Sequence, residues 1–426
     1  MINIFKRCQL AFLVLAAGLL LPGISLADAN YDALKSQVTD LAAQLEKVQQ
    51  ALVQMEQGQA EQESVRTEEI VALRKGIDVA GEWRTPSSLI HLAGYTDVGY
   101  ANSDREDGSF HVGTFSPIFH FQYRDIVMFE SELEFELSPE GETETNLEYM
   151  ALNYFMTDHV TLVGGLFLSP VGQFRQNLHP SWINKLPSAP PGFGHDGAAP
   201  ISELGLQLRG AFPLGGIRSN YSVYVGNGPE LNSVFEDDEF ELEGIVAEGF
   251  GQDRDGEKVF GGRYAILPIP GLEIGVSGAT GKATVTGLED EDTGDVTAVE
   301  GEIARDYDVF GADFSWLWKG FNLRGEYVRA EVGEASTGLT ASEGSVWSSW
   351  YSQAAWRFPS TKFEAVVRYT DFDSPHASED QQQWALGFSY LITNSFIAKV
   401  AYEFNDGIEG SDTNSDRLML QLAYGF

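Results

Sequence analysis

The feature that most tightly constrains this chain is a rhythm. From about residue 89 onward, segments with a period of two recur, and the connections between them alternate without a break between tight and long. The tight connections are Arg124-Asp125, Thr157-Asp158, Pro213-Leu214-Gly215, Pro268-Ile269-Pro270, Lys319-Gly320, Pro359-Ser360 and Thr393-Asn394. The long ones cover 102-109, 139-144, 169-200, 227-257, 282-302, 333-344, 374-381 and 406-414. Sixteen strands are expected between them, over 89-101, 110-123, 126-138, 145-156, 159-168, 201-212, 216-226, 258-267, 271-281, 303-318, 321-332, 345-358, 361-373, 382-392, 395-405 and 415-426. An antiparallel meander with long loops at one end and tight turns at the other is what a transmembrane barrel requires. The even count returns the C-terminus to the end where the first strand begins.

Within the strands the two faces separate. In the last strand Leu418, Leu420, Leu422, Tyr424 and Phe426 oppose Arg417, Met419, Gln421, Ala423 and Gly425. In the third, Phe129, Leu133, Phe135 and Leu137 oppose Glu130, Glu132, Glu134 and Glu136. In the thirteenth, Phe363, Ala365, Val367 and Tyr369 oppose Glu364 and Arg368. Lipid can face the first set and water the second. A soluble sandwich or propeller also alternates, but it turns its apolar face inward. Nor does it need aromatic residues near strand ends such as Tyr123, Tyr154, Trp316, Trp318, Trp356, Tyr402 and Phe404, which are expected to form girdles at the two membrane interfaces. Closure follows because an open edge in hydrocarbon leaves backbone N–H and C=O groups without partners. The segment 236-250, with Phe240, Leu242, Ile245 and Val246, is the stretch that could add a strand within a loop.

The chain begins with the pattern of a secretory signal peptide over residues 1-27. Lys6 and Arg7 precede an apolar run from Leu10 to Leu21, and Ser25-Leu26-Ala27 and Ala27-Asp28-Ala29 offer two small-residue cleavage points. That run is short of the roughly 20 residues a spanning helix needs. The one cysteine, Cys8, lies ahead of it, so the mature chain is expected to hold no disulfide and no cysteine-ligated metal. Leu34, Val38, Leu41, Leu45, Val48, Leu52 and Met55 recur at spacings of four and three, which predicts a coiled-coil helix and linker over 28-75. Residues 76-426 are left for the barrel. The expected fold class is therefore all-β, a sixteen-stranded antiparallel transmembrane barrel preceded by a short coiled-coil segment. With 63 acidic against 27 basic residues and a net charge of −36, the chain repels nucleic acid, whose binding depends on neutralising phosphates.

Strand number sets the bore, and sixteen strands leave an aqueous lumen unless something plugs it. The third long connection, 169-200, is the expected narrowing element, folding inward with Phe174, Arg175, His179, Trp182, Lys185, His195 and Asp196 as constriction residues. Glu130, Glu132, Glu134, Glu136, Arg324, Glu326, Glu364 and Arg368 are expected to line the lumen, the acidic ladder favouring cations. The competing reading is that these charges simply neutralise neighbours on adjacent strands. His91, His111, His120, His159, His179, His195 and His376 are scattered, with no serine or acidic partner at a spacing that fixes a hydrolytic site, so no enzyme, cofactor or metal is expected. A structural or adhesive barrel with a blocked lumen is the rival.

At this point the sequence resembles the Gram-negative outer-membrane porins. The resemblance rests on the signal peptide, the heptads of Leu34 to Met55, and Asn146-Leu147-Glu148-Tyr149 followed by Thr161-Leu162-Val163-Gly164-Gly165-Leu166-Phe167. It rests also on the ending Leu420-Gln421-Leu422-Ala423-Tyr424-Gly425-Phe426. In layout the chain is most similar to phosphate-selective porins and to porins with an N-terminal coiled coil. The resemblance implies a homotrimer in the bacterial outer membrane, in contact with lipid and lipopolysaccharide. It also implies passive transport of small polar solutes and a C-terminal assembly signal, Tyr424 and Phe426, read by the barrel-assembly machinery. Phosphate selectivity is not implied, since such channels concentrate arginine and lysine along the path and this chain carries an acidic ladder instead.

Overall fold

The structure, a computed structural model, describes Thr39, Lys47 and residues 88–426 apart from 139–140, 195–196, 237–238, 247–255, 290–295, 301, 336–339, 377 and 410. The chain divides into two units, Met1–Glu82 and Trp83–Phe426, and the second holds the fold that follows. Its strands are β1 (Ser88–Ser103), β2 (Ser109–Tyr123), β3 (Val127–Leu137), β4 (Thr143–Thr157), β5 (Val160–Leu168), β6 (Ser202–Leu214), β7 (Ile217–Gly226), β8 (Glu230–Glu236), β9 (Glu239–Val246) and β10 (Val259–Ile269). They continue with β11 (Leu272–Glu289), β12 (Val296–Ala298), β13 (Arg305–Trp318), β14 (Phe321–Val332), β15 (Ser345–Arg357), β16 (Phe363–Asp373), β17 (Gln381–Leu391), β18 (Phe396–Asp406) and β19 (Arg417–Gly425). A single α-helical turn, α1 (Phe174–Leu178), lies between β5 and β6.

Sixteen of these strands, all but β8, β9 and β12, pair antiparallel in chain order. The ring closes where β1 meets β19, with Tyr95 opposite Gly425 and Ser103 opposite Arg417. The seam is sealed at its end by a reciprocal pair of bonds: Gly94 N donates to the Phe426 carbonyl at 3.1 Å, and Phe426 N donates to the Gly94 carbonyl at 2.9 Å. In hydrocarbon each of those groups left bare would cost several kcal/mol.

The outward face is apolar and exposed, as a lipid-facing surface must be: Leu206, Val223, Val276, Phe310, Leu386 and Leu422 all point out. At the tight-turn end a ladder of rings runs from β13 to β17. Trp316 and Trp318 are 5.8 Å apart, Trp318 and Phe321 6.2 Å, Phe321 and Trp356 5.7 Å, and Phe363 and Tyr390 4.9 Å. A second band, with Trp350, Tyr369 and Trp384 at 5.2 and 4.9 Å and Tyr402 beside Phe404, lies toward the long loops. Lys319 and Lys362, in the turns, lie over the Trp318 and Tyr390 rings. No helix among the described residues is long and apolar enough to cross a membrane; the crossing is made by strands.

Several expectations need correction. Two turns shift by a residue or two because glycine decides where the chain reverses. β6 runs on through Pro213 and Leu214, and the turn is Gly215-Gly216, at φ 58° and 87°, a left-handed pair that glycine adopts without strain. Likewise β10 continues to Ile269, and Pro270 leads into Gly271 at φ 85°. Segment 236-250 does contain strand, but β8 and β9 form a hairpin outside the barrel. β8 pairs in parallel with the extension of β11 over Thr284–Glu289, and β12 pairs with the same extension.

The coiled-coil part of the expected fold class, and with it the likeness to porins carrying an N-terminal coiled coil, does not stand. Among the described residues the longest helix has five residues. The seam residues Leu34, Val38, Leu41, Leu45, Val48, Leu52 and Met55 lie outside the described residues, so no part of the observed fold is built on them. The fold class is corrected to an all-β, sixteen-stranded barrel.

Candidate functional site

The inward face of the barrel is organised around the long connection between β5 and β6. The described residues of 169–200 do not stand out into solvent. Phe193, Leu186 and Ile201 are fully buried, and Phe174 and Phe193 pack against Tyr351 of β15, the latter edge to face at 5.1 Å. Burying each such side chain contributes roughly 1.5–3 kcal/mol, an ample reason for an apolar loop to fold inward.

Polar groups of the wall hold the loop's backbone in place. On the β11–β14 side, Phe174 N donates to Glu326 Oε2 at 3.0 Å, and Gly172 N to Ser277 Oγ at 3.1 Å. Gln173 Nε2 donates to Asp313 Oδ1 at 2.6 Å, and Arg263 clamps the same carboxylate through Nε at 2.8 Å and NH2 at 2.6 Å. On the β15–β19 side, Ser349 Oγ donates to the Pro191 carbonyl at 2.7 Å. Arg368 donates to the Ser188 and Ala189 carbonyls, each at 3.0 Å, and to Gln383 Oε1 at 2.8 Å. Lys399 Nζ donates to the Ser181 and Leu186 carbonyls and to Gln421. Glu403, fully buried, accepts from Ser188 Oγ, from Arg417 Nε at 2.5 Å and, at 3.7 Å, faces Arg368. A loop whose carbonyls would otherwise be orphaned is thereby satisfied.

Two glycines of the wall make room for it. A Cβ on Gly387 would stand 2.4 Å from Leu186 Cδ2, and one on Gly425 2.7 Å from the Trp182 ring. Leu186 and Trp182 are knobs seated where the wall has no side chain.

The opposite wall, β1–β4, is treated differently. Asp97, Glu134, Glu136 and Glu148 face a cavity of about 290 Å³, bounded on its other side by Arg175, His179, Asn184, Pro187 and Ala189 of the loop. Glu132 accepts from Tyr95 Oη at 2.7 Å and sits 3.6 Å from His179 Nε2, bridging wall and loop at the edge of this space. Gly113 lets Asp97 lean in, since a Cβ there would meet Asp97 Oδ1 at 1.9 Å.

The residues singled out from the sequence thus divide. Glu132, Glu134 and Glu136 are on the acidic wall, and Arg175 and His179 on the loop across the cavity. Glu130 is apart from them, paired with Arg209 at 3.5 Å and Asn153 at 2.7 Å. Glu326 and Arg368 are loop anchors, and Glu364 pairs with Lys185 at 2.9 Å. Arg324 bonds Asn322 on its own strand and does not reach Glu326. Phe174 is core and Trp182 a knob. His195 and Asp196 lie outside the described residues. Tyr424 and Phe426 point outward, Phe426 stacked at 6.3 Å on Phe115. Sequence reasoning missed Asp97, Lys399 and Glu403. Each breaks the apolar run of a strand at an inward position, and Lys399 and Glu403 alternate with Val400 and Tyr402, which is the signal that could have found them.

No family model matches the sequence, and no curated protein does. Solved structures do. OmpT, an outer membrane protein of Vibrio cholerae in a trimer form, superposes with a TM-score of 0.51 at 12% identity, over 80% of this chain and 100% of that one. The anion-selective porin from Comamonas acidovorans gives 0.52 at 14%, over the same shares. The outer membrane channel DcaP of Acinetobacter baumannii gives 0.50 at 11%, over 80% and 99%. At such identities the likeness speaks for the fold, and the narrower resemblance to phosphate-selective porins gives way to this coarser one. The closed sixteen-stranded ring, the greasy outward face and these superpositions establish a transmembrane barrel with the fold of the outer-membrane porins.

Proposed function

We propose that this barrel is a water-filled channel for passive diffusion of small hydrophilic solutes, with residues 169–200 as its constriction and no strong preference for anions. The observation that carries the reading is the cavity of about 290 Å³ between the loop and the wall of Asp97, Glu134, Glu136 and Glu148. Carboxylates on one side with Arg175 and His179 on the other set a field across the narrowest point. In a low-dielectric frame such a field sorts solutes by charge and dipole more than by size. Acids outnumber bases around that gap, which favours cations.

The assembly is taken to be a homotrimer that contacts lipid and lipopolysaccharide, with Tyr424 and Phe426 presented to the barrel-assembly machinery. Support for the trimer is the trimer form named for the similar OmpT structure. A blocked barrel is the second reading, favoured by how firmly Arg368 and Lys399 hold the loop across the bore.

Single-channel recording in a planar bilayer tests the choice. Stable conductance steps with a reversal potential on the cation side are expected. Folded, heat-modifiable protein that inserts and stays silent would overturn the channel and favour the blocked barrel.

A further inference from the structure

At the tight-turn end of the barrel, beyond the cavity on the same wall, two histidines meet that the sequence keeps apart. His91 of β1 and His120 of β2 are direct partners in the strand register. Their neighbours Ile90, Leu92, Phe119 and Phe121 point out to lipid, so both imidazoles point inward. Their Nδ1 atoms are 3.4 Å apart, and their rings are tilted 31° with centroids 5.6 Å apart, so the two nitrogens lead toward each other.

The distance discriminates between two uses of the pair. As an N–H···N hydrogen bond 3.4 Å is long, since good bonds from N–H fall at about 2.7–3.2 Å. Two imidazole nitrogens bound at about 2.0–2.1 Å to one tetrahedral ion stand about 3.3–3.4 Å apart. Converging the lone pairs on such an ion takes a rotation of each ring by roughly 35° from the nitrogen-to-nitrogen line, which the exposed His91 and the half-buried His120 have room to make at the barrel mouth.

We propose that His91 and His120 form a two-histidine site for a borderline divalent transition ion, Zn²⁺ or Cu²⁺, at the tight-turn mouth of the channel. Imidazole is a preferred ligand of both ions. Glu130 stands opposite His120 in the register of β2 and β3 and supplies negative charge beside the site. Its carboxylate is held by Asn153 Nδ2 at 2.7 Å and faced by Arg209 at 3.5 Å, so it attracts the ion without being drawn in as a third short ligand. No group of three protein ligands gathers among the described residues, so the ion keeps water in its remaining positions and exchanges readily. Tight turns of such barrels face the periplasm, and the site is therefore open to periplasmic ions. It does not depend on whether the bore conducts.

Zn²⁺ titration by calorimetry, on the full-length protein folded in detergent, tests this directly. One saturable site per chain is expected. His91→Ala and His120→Ala should each weaken it by on the order of tenfold or more, which is at least what loss of a supporting partner costs a metal site. The double variant should lose nothing further, because either single change already breaks the chelate. His159→Ala, a histidine at the same end whose Nδ1 is engaged by the Ala211 carbonyl at 3.0 Å, should bind as the parent does. Heat-modifiable mobility confirms that each variant is folded, and His91→Gln with His120→Gln serves in place of any alanine variant that is not. Zn²⁺ affinity unchanged in the folded single variants, or no saturable binding by the parent, would overturn the proposal.

Discussion

Two halves of one inner wall treat the same kind of residue in opposite ways. The half from β11 to β19 spends its inward polar side chains on the loop: Glu326, Asp313, Ser349, Arg368 and Lys399 each bond a loop group, and Gly387 and Gly425 leave space for Leu186 and Trp182. The half from β1 to β4 lines open space with Glu134, Glu136, Glu148 and Asp97, the last also accepting from Gln421 Nε2 at 3.0 Å. A charge on the inner face of a barrel is therefore not the same as a charge in its pore. Stability should respond to the first half, and selectivity to the second.

The largest expected effect breaks the anchoring half. Arg368→Met leaves the buried Glu403 with Arg417 alone for a guanidinium partner and strips the donor from the Ser188 and Ala189 carbonyls and from Gln383 Oε1. Each buried acceptor so orphaned costs about 1–3 kcal/mol. Urea unfolding followed by tryptophan fluorescence should show that loss; a change under 1 kcal/mol would mean that the loop is not held there, since even a single lost hydrogen bond is typically worth about 1 kcal/mol.

Next in size is the knob and slot. Gly387→Val drives methyl groups into the space occupied by Leu186 Cδ2, an overpacking expected to cost about 1–3 kcal/mol. With the loop pushed off the wall, protease cleavage within 169–200 should rise and the conductance should change. If cleavage and conductance both match the parent, the slot is not what seats the loop.

On the acidic half the expectation reverses. Asp97→Asn with Glu136→Gln should leave unfolding nearly unaltered and shift the reversal potential toward anions. A unit charge at about 6 Å in water is worth about 0.7 kcal/mol, or about threefold in permeability ratio for each carboxylate. An unaltered reversal potential would assign selectivity elsewhere.

The smallest effect concerns the loop sheet outside the barrel. His376 Nε2 lies 2.8 Å from the Leu242 carbonyl of β9 and 3.3 Å from Glu243. Burial pulls its pKa down, but the Leu242 carbonyl and the carboxylates of Glu243, Glu379 and Glu241 more than offset this, leaving it above the ordinary value. A raised histidine pKa means stability fully present below the unfolded value and lost as pH rises through the folded one. Amide exchange in β9 should therefore quicken as pH rises through that range, once intrinsic rates are divided out, and His376→Ala should abolish the pH dependence. A β9 that loosens on acidification would reverse the sign and refute the tether.

Much of this was legible in the sequence because lipid imposes a simple rule. Period-two alternation, with tight and long connections in turn, puts Leu420, Leu422 and Tyr424 outside and Glu132, Glu326 and Arg368 inside without knowledge of any contact. What those inward residues touch was not legible. Partners such as Arg368 and Ser188 are 180 residues apart and meet only because a loop crosses the bore. The same holds for His91 and His120, which only strand register brings together. Gly387 and Gly425 read as ordinary strand residues, since nothing local says that a Leu or a Trp from elsewhere will take their missing side chains' place. The turn at Gly215-Gly216 was misplaced because Pro213 signals a break, although a strand tolerates proline where no ladder bond is required. The heptads of Leu34 to Met55 were over-read, because a seam at heptad spacing states a preference for a partner and not a component of the fold.

The contrast between the two halves is tested most directly by thiol chemistry. The chain's single cysteine is Cys8, so in a Cys8→Ser background a new cysteine is the only target. With Glu136→Cys, a small cationic methanethiosulfonate added during single-channel recording should react and reduce the current in a discrete step. With Ser349→Cys, behind the loop beside Pro191, it should leave the current unaltered. Equal modification of both positions, or of Ser349→Cys alone, would contradict a loop seated against β11–β19 with its open passage along β1–β4.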